Sequence, residues 1–249
     1  MFDLRLIRAE VLKLRRRRGL MVATAIFTVG AVAIYYAIVA LLHLADPGAN
    51  GAAGGLHGFD ATIGLLSLTG AVAGVLVGAT AGGADIEAGV FRDLAATGRS
   101  RSALFFARVP GAWAILVPAV VAAVGLSAGV ALLLDGPGSL TAAAAGQGLA
   151  ASLVAALLLS AASVGLAALS SGRGMVIGIV LAFQLGLSPI LAEIGAIGDL
   201  RYAIPAVANA RIGGEIADEM ALVVAILVVL AWAAVTLGAG LWRTRTQEI

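Results

Sequence analysis

Gly125-Leu-Ser127-Ala-Gly129 matches by letter the Gly-x-Ser-x-Gly pattern of hydrolase nucleophiles. That chemistry needs the serine on a strand-to-helix turn and a histidine in reach to take its proton. Here the pattern lies inside a long apolar stretch, and the two histidines, His43 and His57, fall at or beyond the end of a different one. The surroundings predict a structural serine. No His-Glu-x-x-His pair, no paired carboxylates within an apolar stretch and no other metal-ligand cluster occurs. There is no cysteine, hence no disulfide framework, thiol chemistry or thiolate site. A Walker-type phosphate loop needs a lysine, and the one lysine, Lys13, follows no glycine-rich loop. The reading is therefore of a chain that is no enzyme and has no catalytic, cofactor or metal residue of its own. What remains is charge, and it is gathered. "ADIEAGVFRDLAATGRSRSALFFARVP", from Ala84 to Pro110, carries Asp85, Glu87, Arg92, Asp93, Arg99, Arg101 and Arg108 between two long uncharged stretches.

The elements that must position these charges are set by composition. Of 249 residues, 61% are hydrophobic and 12% charged, and the mean hydropathy is +1.05. Soluble domains carry about 25% charged residues, so half that number cannot cover a water-facing surface. A membrane-spanning helix needs about 20 mainly apolar residues. Six stretches qualify, at about 19–42, 61–84, 109–134, 147–169, 174–192 and 220–242. They predict an all-α membrane protein with one transmembrane domain over residues 1–249. The first stretch is too long for a signal-peptide core and lacks a clear cleavage site, so it reads as a retained span.

Six spans put both termini on one side. Fourteen of the sixteen basic residues fall on that side: seven in residues 1–18, then Arg92, Arg99, Arg101, Arg108, Arg173, Arg243 and Arg245. Only Arg201 and Arg211 fall opposite. Basic residues stay on the cytoplasmic face, which predicts cytoplasmic termini. One lysine against fifteen arginines, with abundant Ala and Gly, fits a GC-rich bacterial genome.

Within the spans, Gly70, Gly74, Gly78 and Gly82 recur every four residues and share a helix face. Small residues on one face let another helix backbone come close. This predicts ordinary packing within the chain, or a seam that moves or meets a second subunit. Gln147 and Gln184, the strongest polar side chains in spans four and five, read as helix-to-helix hydrogen-bonding residues rather than substrate ligands. No charge stands at mid-membrane, where ion-coupled pumps keep one, and no inverted repeat relates the halves. Residues 188–219 mix Glu193, Tyr202 and Pro205 with apolar pieces. They read as a short re-entrant or interfacial hairpin on the outer side, the alternative being a plain amphipathic surface helix.

On the arginine-rich side, Leu4, Ile7, Val11 and Leu14 recur at steps of three and four, with Arg5, Arg8, Glu10 and Lys13 off that stripe. The pattern suits a helix lying in the inner membrane interface; the alternative is a mere orientation tag. The Ala84–Pro110 stretch divides at Gly98 into two helix-like halves. Ile86, Val90, Phe91 and Leu94 line the first, and Ser100 or Ser102 offers an N-cap to the second. Charges beside aromatic apolar faces predict a surface onto which something docks; the alternative is a solvated loop whose arginines only fix topology. Glu87 is expected to accept hydrogen bonds from a partner or to cap its own short helix.

The run Glu87-Ala-Gly89-Val-Phe91-Arg92-Asp-Leu94-Ala-Ala-Thr-Gly98-Arg-Ser-Arg101 resembles the loop between spans two and three of type-2 ABC exporter permeases, with Val90 where Thr is common and Ala95 where Leu is common. "RAEVLKLRRRRG" is similar to that family's helix leading into span one, and "YAIPAVANA" to its segment between spans five and six. The resemblance implies a homo- or heterodimer of six-span subunits in the bilayer, each with a separate ABC ATPase subunit that holds ATP and Mg2+. It implies that Glu87, Gly89, Phe91, Arg92, Arg99 and Arg101 belong to a coupling helix against that ATPase, and that no nucleic acid is involved. Rival readings are a secondary transporter or channel, and a non-transporting anchor or assembly protein. The apolar pathway suits lipids, hydrophobic drugs or amphipathic peptides, and leaves polymer export open.

Overall fold

The structure is a computed structural model that describes residues 4–90, 93–94, 98–134, 136–170, 172–214, 216 and 219–246. These are helical throughout their regular elements, with no strand among the described residues. Six helices are long and apolar enough to cross a membrane: Arg18–Ala45, Gly55–Glu87, Arg101–Leu133, Ala142–Leu169, Arg173–Glu193 and Leu222–Thr246, here spans one to six. The chain is built as an integral, multi-pass membrane protein. A separate helix, Leu4–Arg15, precedes span one.

The helices overrun their apolar stretches. Span two is 33 residues long and span three likewise, about 50 Å each at 1.5 Å per residue, against a hydrocarbon layer of about 30 Å. The second helix-like half of the Ala84–Pro110 stretch is therefore not a separate element. It is the first turns of span three, which starts at Arg101 and runs unbroken through Pro110 and Pro118. Ser100 is its N-cap and accepts a hydrogen bond from the Ala103 amide at 3.2 Å. Phe105, in that half, is fully buried in the core.

Span four is the axis. Two thirds of its apolar window is buried, 67%, against 17% for spans one and five and 11% for span six. Small residues make this possible. A Cβ added at Gly74, Gly78 or Gly82 would stand 2.3, 2.2 and 2.6 Å from the carbonyl oxygens of Ala156, Ser160 and Val164. Spans two and four thus touch backbone to backbone. Gly70 is buried but faces only Leu66 of its own helix, so the seam holds three of the four predicted glycines. Span six docks on span four the same way: a Cβ at Gly165 would lie 2.2 Å from the Thr236 carbonyl oxygen.

Consecutive spans alternate in direction, which separates two ends. One gathers the arginines. At the other, Leu56 N–H donates to Gly138 O at 3.0 Å, and a buried hydroxyl group ties three spans. Tyr36 donates to Ser127 O at 3.2 Å, and Ser127 Oγ is hydrogen-bonded to Thr62 Oγ1. Ser127 therefore has hydroxyl neighbours and no histidine partner in this group. Spans one and five each contain a π-helical turn, Ile26–Gly30 and Ala182–Leu187. Between spans five and six lie a 3-10 segment, Gly195–Ala203, and a helix, Pro205–Gly213, that begins on buried Pro205 and ends at Gly214 with φ 90°. Trp232 of span six donates to Ala203 O at 2.9 Å and fixes this piece.

Candidate functional site

The candidate site lies at the arginine-rich end, where four charged side chains come together, two of them buried and two partly exposed. Asp85 stands in the last turn of span two and is 6% exposed; Arg108, in span three, is 1% exposed. Lys13 of the N-terminal helix places its Nζ 2.8 Å from Asp85 Oδ2 and 2.6 Å from Glu10 Oε2. Arg108 lies 3.8 Å from Asp85 Oδ2 and donates to Gly82 O at 2.9 Å. Two acids and two bases sum to zero, the condition under which charges tolerate burial. The approach needs Gly111, since a Cβ there would stand 2.6 Å from Glu10 Cβ. Gly82 serves twice, giving its carbonyl to Arg108 and its missing side chain to the span-four seam. Burial holds the Glu10 carboxyl above its ordinary value of 4.5, the opposing pull of Lys13 being smaller.

This corrects two sequence expectations. Asp85 and Arg108 are not loop charges; they lie inside helices and face each other. Glu10 and Lys13 are not on an outward polar face. They turn into the bundle with Leu14, which is fully buried, while Leu4 and Leu12 are exposed. Of the apolar stripe, Leu14 is in the core and Val11 packs against it, and the ion pair shares that buried side because both partners arrive together. The readable signal was the length of the helices: one more turn on spans two and three puts both charges in a helix interior.

A second ion pair joins spans two and five. Glu87, the last residue of span two, accepts a hydrogen bond from the main-chain N–H of Arg173 and lies 3.2 Å from its Nε. Arg173 begins the span-five helix, so this carboxylate caps another helix rather than its own, where the helix dipole favours an anion. Span three meets span six: Arg101 donates to Arg245 O at 3.2 Å, and Arg245 Nε to Ser102 Oγ at 2.9 Å.

Between these anchors runs the segment of residues 88–100. Gly89 and Gly98 have φ of 71° and 82° and make its turns. Val90, Asp93, Leu94 and Arg99 are exposed. Phe91 and Arg92 lie outside the described residues. Of the other predicted residues, Glu193 is exposed at the end of span five. Tyr202 accepts at its hydroxyl from Arg201, at 2.9 Å, and Arg201 also pairs with Glu219 at 3.0 Å. Gln147 is exposed near the start of span four. Gln184 lines a cavity, and its side chain makes no hydrogen bond among the described residues. Among those residues, no cluster of three or more His, Asp and Glu could hold a metal ion.

These features define an all-helical, multi-pass membrane protein whose charged chemistry is concentrated at one end of the bundle. No family model matches the chain, and neither does any curated protein.

Proposed function

We propose that this chain is the permease subunit of an ATP-binding cassette exporter of the type-2 class. It sits in a bacterial cytoplasmic membrane with both termini cytoplasmic. It works as a dimer, homo- or hetero-, and each subunit engages a separate ATPase that holds ATP and Mg2+. One observation carries the reading. The segment that carries exposed Val90 and Leu94 is anchored through charges that reach the N-terminal helix and spans two, three, five and six. A push on that segment reaches every element that ends at this side except span four, the fixed axis, and span one, which follows the N-terminal helix. The resemblance of residues 87–101 to an exporter coupling loop supports the same assignment. On this reading the N-terminal helix lies at the inner membrane surface with its exposed Leu4 and Leu12 toward lipid. The Gly195–Gly213 pieces re-enter the outer leaflet.

Co-expression with any ABC ATPase found encoded beside the gene tests this. Affinity purification of the tagged permease is expected to retain that ATPase and to stimulate ATP hydrolysis in proteoliposomes. Its absence from the purified protein, with no ATP-dependent export, would overturn the reading. Glu87→Ala then tells how the push travels. Because Glu87 is held by Arg173, Glu87→Ala and Arg173→Ala should reduce coupled hydrolysis alike. The pair is partly exposed, so its loss costs about 1 kcal/mol, a factor of roughly five. If only Glu87→Ala weakens ATPase binding, the carboxylate meets the partner directly.

A further inference from the structure

Two cavities adjoin beneath the π-helical turn of span five, well away from the charged end. The first, about 260 Å³, lies between spans two, four and five and the Pro205–Gly213 helix. Its polar side chains are Ser67, Gln184 and Asn209, and no Asp, Glu, Lys, Arg or His among the described residues lines it. The second, about 200 Å³, lies between spans four, five and six and is apolar, with Phe183 and Trp232 among its walls. The two share Leu158, Leu159 and Pro205. Neighbouring residues of the π turn thus face different compartments, Gln184 the polar one and Phe183 the apolar one.

Asn209, at the wall of the polar compartment, carries an unsatisfied acceptor. Asn209 Oδ1 is buried and accepts no hydrogen bond among the described residues. An acyl chain filling the space would leave that oxygen unsatisfied, a cost that low-dielectric surroundings enlarge. A donor from a ligand head removes it once the amide turns its oxygen toward the cavity. A charged head finds no counter-charge among the described residues of either compartment. The first volume is just under the roughly 300 Å³ at which small-molecule pockets begin, enough for a head group but not for a whole amphiphile. We infer that the paired cavities form one binding site for an uncharged amphiphile, its hydrogen-bonding head between Gln184 and Asn209 and its chain under span five against Phe183 and Trp232. The inference does not depend on the exporter reading, because binding requires no ATPase.

The test uses the full-length protein alone in phosphatidylcholine nanodiscs, with a monoolein analogue bearing a diazirine in its chain. Labelling is expected in spans five and six, and unlabelled monoolein should compete while oleate and phosphatidylglycerol do not. Gly64 lines the polar cavity and has nothing within 4 Å of an added Cβ, so Gly64→Phe should fill the cavity and abolish labelling. Gly125 is equally open but lines neither cavity, so Gly125→Phe should label as the wild type does. Replacing Gln184 and Asn209 together by Leu should lower apparent monoolein affinity about tenfold, while labelling by a diazirine-bearing alkane stays unchanged. Wild-type labelling of Gly64→Phe, equal competition by oleate or phosphatidylglycerol, or unchanged monoolein affinity in the double Leu variant would each overturn the site, leaving an unspecific lipid-filled crevice.

Discussion

Span two is held in two ways that share one residue. Along its middle it meets span four through Gly74, Gly78 and Gly82, backbone against backbone. At its end it meets the N-terminal helix and span three through Asp85, Lys13 and Arg108. The seam depends on shape alone. It has no charge for salt or pH to act on, and it admits no side chain. The charged node depends on balance: each ion is tolerable only because the others are present. A shape-based seam is suited to stay fixed, and a balanced ion group to open and re-form, with Gly82 marking the border between them.

The difference can be broken most forcefully at the seam. Gly78→Leu drives a side chain into the Ser160 backbone, where the Cβ alone would lie 2.2 Å from the carbonyl oxygen. The expected loss exceeds the roughly 1–3 kcal/mol of ordinary overpacking, so little monodisperse protein should elute in size-exclusion chromatography. Gly64→Leu, with open space at its Cβ, should elute normally. Equal behaviour of the two variants would mean that the spans do not touch there.

The next effect belongs to the node. Asp85→Ala leaves Lys13 and Arg108 without their shared carboxylate and should cost about 3–5 kcal/mol, read as a lower unfolding midpoint in detergent. Asp85→Leu combined with Lys13→Met removes a pair and leaves Glu10 and Arg108 to balance, so it should recover part of the loss. A double variant as unstable as the sum of the singles would show that the charges act independently.

The smallest effect sharpens the electrostatic side. Glu10 is surrounded by Lys13, Asp85 and Arg108, and burial raises its carboxyl above 4.5. A raised folded value means that the folded chain binds the proton more tightly than the unfolded chain. The associated stability is fully present below about 4.5 and is lost as pH rises through the folded value. Glu10→Gln should remove that slope. Superimposable pH profiles for wild type and Glu10→Gln, measured from pH 4 upward, would show that Glu10 does not contribute it.

Much of the architecture was legible because apolar length is a strong signal. The six spans, the grouping of arginines and the glycine face of span two follow from residue type and spacing. Helix ends were not legible, because hydropathy marks where lipid stops and not where a helix stops. Spans two and three extend past their apolar runs to Glu87 and back to Arg101. That hid the node, since Asp85 and Arg108 looked like loop residues until the helices around them were complete. The Glu87–Arg173 pair was hidden for another reason: 86 positions separate its partners, and no periodicity links them. Gln184 read as a helix-to-helix bond because sequence cannot show that the face opposite is a cavity.

The π-helical turn at Ala182–Leu187 acts as a phase shifter in span five. An α-helix advances about 100° per residue, and a π turn holds one residue more than its α counterpart. Recasting this turn in α geometry with every residue kept would rotate Ser188–Glu193 by about that angle relative to Arg173–Leu181. The base of span five would keep its grip on Glu87, but everything beyond the turn would point elsewhere. The angular setting of the far half of the span, and of the short helices that hang from it, thus rests on a single inserted residue.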